Sequence, residues 1–223
     1  MNSMLNTKES KVPSVVIVNS ENDVANYALD DINLLIIRFD WDNNGYLLAE
    51  KIAHLASLRC ECFIVCVAES SHKDDPFDIK FADAVICVSS KEEADKVVVC
   101  LYDSCTEKSF ICQDFMDFMW VMQGDVLGYF GFTEVEYYQG CLPKVASEVI
   151  CVDSLQNRIG KAKKLLVCIT TGLDIDGKIK IHEIGSAMEV FWSAVDSDTN
   201  IIFTVISKYA GNNVSMGVIA TGL

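Results

Sequence analysis

Val167-Cys168-Ile169-Thr170-Thr171-Gly172-Leu173-Asp174 is an apolar, β-branched run that stops on a glycine. Such a run, closed by Gly and Asp, predicts a buried strand from Lys164 to Thr170 and a turn of the chain at Thr171-Gly172. Downstream, Ile181, Ile184, Met188, Phe191 and Val195 recur at three- and four-residue steps, the spacing of an amphipathic helix. Asn200 to Ser207 and Asn213 to Thr221 then read as two strands, and the Gly211-Asn212-Asn213 turn between them reads as a hairpin.

Upstream the pattern alternates. Val12 to Val18 is β-branched, and Ile32 to Phe39 is nearly uninterrupted apolar sequence, the mark of a strand covered on both faces. The polar turn Asp40-Trp41-Asp42-Asn43-Asn44-Gly45 follows, and then Leu47, Leu48, Ile52, Leu55 and Ala56 at helical spacing. Cys62 to Ala68 and Phe81 to Val88 are further strands, and a charged helix starts at Lys91. This order is a parallel α/β layout. Thr106 to Gln113 reads as a loop. Phe115, Phe118, Met119, Met122 and Val126 predict one long helix that weakens near Gly128 and Gly131, and Pro143 opens another.

Half the chain is hydrophobic (51%), enough for a sizeable core, and its 223 residues carry a net charge of -14. That charge argues against nucleic acid or an anionic membrane as a direct partner, because both need cationic patches. A basic or neutral protein surface suits it better. The ten cysteines contain no CxxC pair and are accompanied by three histidines, so we read them as reduced core thiols rather than disulfide staples or a zinc site. The polar segment Met1 to Lys11 lacks the apolar stretch of a signal peptide, and no uncharged apolar run reaches the roughly 18 residues of a spanning helix. We therefore expect a cytoplasmic protein.

Four segments, in order, resemble the bacterial tubulin homologue FtsZ. Cys112-Gln113-Asp114-Phe115-Met116-Asp117 is similar to the Asn-x-Asp-x-x-Asp of the family's synergy loop. Val167 to Asp174 resembles its Ile-Thr-Gly-Gly-Leu-Asp strand and turn. Asn200-Ile201-Ile202-Phe203 matches Ala-Asn-Ile-Ile-Phe, and Val218-Ile219-Ala220-Thr221-Gly222-Leu223 resembles Val-Ile-Ala-Thr-Gly-Phe. The resemblance implies an α/β protein: a truncated Rossmann-like parallel-sheet N-terminal domain (1–111), a synergy-loop-like segment with a central helix (112–137), and an FtsZ-type C-terminal α+β domain with a mixed sheet (138–223).

The departures carry as much meaning. The family reaches its synergy loop after nearly twice as many residues, which implies that at least two β-α units are absent. Where it has a Gly-rich phosphate loop, this chain has Asp40, Trp41, Asp42, Asn43, Asn44 and Gly45. Phosphate loops need glycines so that backbone N–H groups can close around the anion, whereas two carboxylates repel phosphate and an indole fills the space. The same stretch begins like a calcium loop, but the twelfth position is Lys51 rather than a bidentate Glu, and the preceding element reads as a strand.

In the family, synergy-loop carboxylates reach the nucleotide of the next subunit. By resemblance Asp114 and Asp117 are those carboxylates and Cys112 replaces the Asn, without its paired amide hydrogen bonds. The expectation is a non-GTPase, non-enzymatic chain without cofactor that caps or modulates FtsZ filaments, with FtsZ, another FtsZ-like protein or itself as partner. The alternative is an FtsZ-fold interaction or scaffold module in which Asp114 and Asp117 only cap a helix. A different enzyme finds little support: His54, His72 and His182 are scattered, and Cys112 beside two carboxylates is a poor nucleophile. Trp120, Tyr137, Tyr138 and Trp192 read as packing residues before partner anchors. The resemblance also implies that the chain, ending at Leu223, does not itself recruit the family's membrane tethers.

Overall fold

The β-branched and apolar runs become strands, and the strands form one sheet. The computed structural model describes residues 13–19, 32–41, 45–58, 61–70, 79–107, 109–111, 114–123, 127–175 and 177–222. Among these, β1 (Val15–Val18), β2 (Leu34–Asp40), β3 (Phe63–Glu69) and β4 (Ala84–Val88) pair in parallel, in that order. Helix α1 (Gly45–Ser57) connects β2 to β3 and buries Ala49, Ile52, Ala53 and Ala56 against Leu35, Ile37, Ile64 and Cys66. Leu47 and Leu55, expected on that face, are exposed: the small alanines let the helix sit close to the sheet and turn the leucines outward.

Helix α2 (Lys91–Thr106) covers the opposite face. Ser90 starts it with extended backbone, and its hydroxyl accepts from Glu93 N at 3.1 Å. Glu92 and Glu93 lie in the first turn, where carboxylates favour the positive end of the helix dipole. Ala94, Val97 and Leu101 face the core. That core includes both Leu34, Ile36 and Val65 of the parallel strands and Leu166, Cys168 and Ile219 further along the sheet. α2 therefore spans both halves of the molecule.

The remaining strands are β5 (Ser109–Ile111), β6 (Leu127–Glu136), β7 (Lys164–Gly172), β8 (Asn200–Tyr209) and β9 (Asn213–Thr221). The described sheet runs β1-β2-β3-β4-β6-β9-β7-β8-β5. β6 joins β4 in parallel over Leu127 to Tyr129 and then pairs antiparallel with β9, so the sheet is continuous. Helices α4 (Leu142–Ile150) and α5 (Ile181–Ala194) pack on one face of β7 and β9; α2 and α3 (Phe115–Met122) pack on the other.

Two sequence expectations fail here. The long helix expected from Asp114 to near Gly128 is shorter: α3 stops at Met122, and Gly128 and Gly131 belong to strand β6. A Cβ at Gly131 would lie 2.4 Å from Leu155 Cδ1, so this glycine permits a strand to pass under the α4 segment. The hairpin is also wrong. β8 and β9 do not pair with each other, because β7 lies between them, parallel to β8 and antiparallel to β9. The β7-α5-β8 crossover joins β7 to a parallel neighbour, which leaves the other edge of β7 to β9. A smaller difference is that the expected loop of 106–113 contains the short edge strand β5.

Candidate functional site

Asp114 is the N-cap of α3, and its Oδ1 accepts from Asp117 N at 2.8 Å. Asp117 reaches back, its Oδ2 accepting from Asp114 N at 3.4 Å, so the two aspartates form a reciprocal capping box. Both are exposed. The third residue of the expected motif, Cys112, lies outside the described residues.

The other end of α3 is held by the C-terminal sheet. Lys164 Nζ donates to Trp120 O at 2.6 Å and Gln123 O at 2.9 Å, and Thr221 Oγ1 donates to Val121 O at 2.9 Å. A cation at this end complements the helix dipole and occupies carbonyls that the helix leaves open. Phe118 is fully buried, stacked on Phe115 and edge-on to Phe63. α3 thus holds Asp114 and Asp117 on a pinned element. It also presents Met116 (67% exposed) and Trp120 (44%), the latter with Lys164 Nζ 4.9 Å above its ring. The packing role expected of Trp120 and Trp192 does not hold, since both are exposed, as is Tyr138; Tyr137 alone leans on the core.

The expected phosphate-loop position follows β2. Asp40 ends that strand, Trp41 N donates to Glu69 O at 2.8 Å, and Asp42, Asn43 and Asn44 lie outside the described residues. Trp41 packs between Phe39 (6.1 Å between centroids) and Tyr46 (5.1 Å), and Tyr46 continues to Phe81 (5.4 Å). A Cβ at Gly45 would lie 2.4 Å from Asp40 O, so the glycine here serves the closeness of the helix start to the strand end. Among the described residues no three His, Cys, Asp or Glu side chains are grouped to hold a metal ion, and no helix is long and apolar enough to cross a membrane.

Two polar clamps that the sequence reading missed fix α2 between these regions. Near its start, Arg38 of β2 pairs with Glu69 at 2.7 Å and with Asp95, and donates to Lys91 O at 3.2 Å. Near its end, Asp103 is buried; its Oδ1 accepts from Lys208 Nζ at 2.5 Å and its Oδ2 from Tyr209 OH at 3.2 Å. Glu107 joins Lys208 at 2.9 Å. The one available signal was Asp103 itself, a carboxylate on the stripe that carries Val97 and Leu101. Its partner lies 105 residues away.

Burial lowers the Lys208 pKa, but the hydrogen bonds to Asp103 and Glu107 outweigh it and hold the ammonium above its ordinary range. A raised folded-state pKa stabilises fully below the unfolded value of about 10.4 and loses that contribution as pH rises beyond it. Asp103→Ala is accordingly expected to destabilise by about 1–2 kcal/mol, discounted because Lys208 keeps some contact with water. In urea unfolding series, the gap to wild type should stay constant through neutral pH and shrink above about pH 10.4. A gap that opens only in acid would refute this assignment.

No family model matches the sequence, and no curated protein does. Solved structures do match. An FtsZ mutant from M. jannaschii superposes with a TM-score of 0.64 at 17% identity, covering 86% of this chain and 66% of that one. CetZ1 from Haloferax volcanii, a GDP-bound monomer, gives 0.62 at 8% identity, covering 90% and 68%. A GTPγS-form protofilament of Bacillus thuringiensis serovar israelensis TubZ gives 0.55 at 10% identity, covering 86% and 61%. The chain has the FtsZ/tubulin-like fold and spans about two thirds or less of the length of these structures. One expectation is overturned by them. A chain of this kind was expected not to be an enzyme, yet the same fold is found with GDP bound and in a GTPγS form, so its neighbours are nucleotide proteins.

Proposed function

We propose that this chain docks on filaments of an FtsZ-fold protein through the start of α3, and so caps or modulates the polymer. One observation carries the reading: in an FtsZ-like fold, Asp114 and Asp117 stand exposed at the start of a helix whose far end is bolted to the sheet. Carboxylates on a pinned element can meet a neighbouring subunit without first being ordered, which lowers the entropic cost of contact. The net charge of -14 favours a less acidic partner over a second copy. By the resemblance, Cys112 belongs to the same contact, and Asp40 to Gly45 stand at the opposite, phosphate-loop end. There, carboxylates and the Trp41 aromatic cluster make an unsuitable seat for a further subunit, so growth stops where this chain binds.

A second reading is favoured by the completeness of the capping box. Asp114 and Asp117 already satisfy each other's backbone, which fits a local role in an interaction module, self-associating or bound to an unrelated partner.

Light scattering and co-sedimentation of polymerising FtsZ with substoichiometric chain separate the two. Capping predicts reduced polymer mass, abolished by Asp114→Asn/Asp117→Asn. Asparagine still caps a helix but removes both charges, so loss of the effect in a folded double variant reports contact rather than unfolding. Unchanged polymer mass and unchanged GTP turnover by FtsZ would sink the filament reading.

A further inference from the structure

α2 faces β6, β9 and β7 across a cleft of about 470 Å³, walled by Val99, Cys100, Phe132, Cys168 and Gly217. Cys100 lies on α2 and Cys168 on β7, 68 residues apart in sequence. Ser104 links them. Ser104 Oγ donates to Cys100 O at 2.6 Å, so its single proton is used. Cys168 Sγ lies 2.7 Å from the same Ser104 Oγ, and its thiol donates to Cys100 O at 3.9 Å. The neighbouring Cys168 and burial both push the Cys100 thiol pKa up. Cys168 is paired with Gly217, and the Cys100 sulfur lies beside that glycine, so both thiols stand at one point of the junction between the helix and the sheet.

We propose that Cys100 and Cys168 form an oxidisable dithiol, closed to a disulfide by a peroxide entering through the cleft, and that this bond locks α2 onto β7. The thiolate of one cysteine attacks a peroxide oxygen and the O–O bond breaks. A sulfenic acid forms, and the departing hydroxide takes up the proton that the thiol released, giving water. The second thiol attacks the sulfenic sulfur, the S–S bond forms, and a second water leaves. Two thiols are oxidised, one peroxide is reduced, and atoms and electrons balance. Three features make the pair suitable. The cleft offers a small oxidant a route that a sealed core denies. Gly217 leaves the Cys100 sulfur room to turn, since a Cβ there would lie 3.1 Å from it. The bond would also tie the helix that spans both halves of the sheet, between the Arg38 and Asp103 clamps. The raised Cys100 pKa slows attack on peroxide, so the bond forms slowly and only when oxidant is supplied in excess.

The test treats the full chain with hydrogen peroxide under native conditions, blocks the remaining thiols and maps disulfide-linked peptides by mass spectrometry. The expected product is the Cys100–Cys168 linked peptide, with a raised melting temperature that dithiothreitol reverses. In Cys100→Ser and in Cys168→Ser the linked peptide is lost, and the remaining cysteine is trapped as sulfenic acid by dimedone. If either variant fails to fold, the wild-type map still decides. The proposal is overturned if native protein yields oxidised Cys151 but no Cys100–Cys168 link. It is equally overturned if Cys168 links instead to Cys105, or if the link forms only in denaturant.

Discussion

Gly172→Ala is expected to destabilise the fold by about 3 kcal/mol or more, beyond the usual cost of an added methyl group. The reason is a crossing of chains. β8 and β9 flank β7, so the link between them, residues 210–212, must pass over the end of β7. It passes so closely that a Cβ at Gly172 would lie 2.0 Å from Gly211 O and 2.7 Å from Gly211 C. Both obstacles are backbone and cannot rotate away. The crossing is also stitched on either side: Gly211 O accepts from Asp174 N at 3.3 Å, and Asn212 O accepts from Tyr137 N at 2.7 Å. Relieving the clash would break these bonds and disturb the Gly172–Tyr209 pairing, itself at a register shift. Gly211→Ala supplies the comparison. Gly211 has φ +118 with open space around its Cβ position, so its cost is conformational and should be near 1 kcal/mol. Chemical denaturation of both variants checks the account. If Gly172→Ala is the milder of the two, the close crossing is not what the glycine is for.

That same crossing marks the limit of what the sequence reveals. The runs Ile32 to Phe39, Cys62 to Ala68 and Lys164 to Thr170 are apolar because both faces are covered, so β2, β3 and β7 were legible locally. The stripe of α5 was legible too, although Ile181 at its start is exposed. The placement of β7 between β8 and β9 was not, because a Gly-Asn-Asn link looks the same whether the chain turns back beside itself or steps over a neighbour. β6 was misread because Leu127 to Phe132 is apolar with glycines at two positions, and the need for those glycines lies in distant partners: Thr221 and Val85 near Gly128, Leu155 near Gly131. At the candidate site, Asp114 and Asp117 could be read as a helix start from spacing alone. Arg38 with Asp95, and Asp103 with Lys208, could not, since an ion pair between remote elements leaves no periodic trace.

Phe118→Ala should give the other large effect, about 3–5 kcal/mol, because a fully buried ring is removed from the point where α3 meets the sheet. Its ring lies 5.9 Å from Phe115 and 6.4 Å from Phe63, so the deletion also ends two aromatic contacts that span α3 and β3. The effect on the proposed docking site should be distinguishable from the loss of stability. The capping box and the Lys164 and Thr221 bonds hold α3 at its two ends, but an eight-residue helix has little stability of its own without packing. In Phe118→Ala, amide exchange over α3 should therefore rise more than over β7 or α5, under conditions where the protein remains folded. The contrast is Phe118→Leu, which refills most of the volume and should recover much of the loss. If α3 exchanges no faster than the sheet in the alanine variant, the helix is held by its end contacts alone. The packing of Phe118 would then have no part in presenting Asp114 and Asp117.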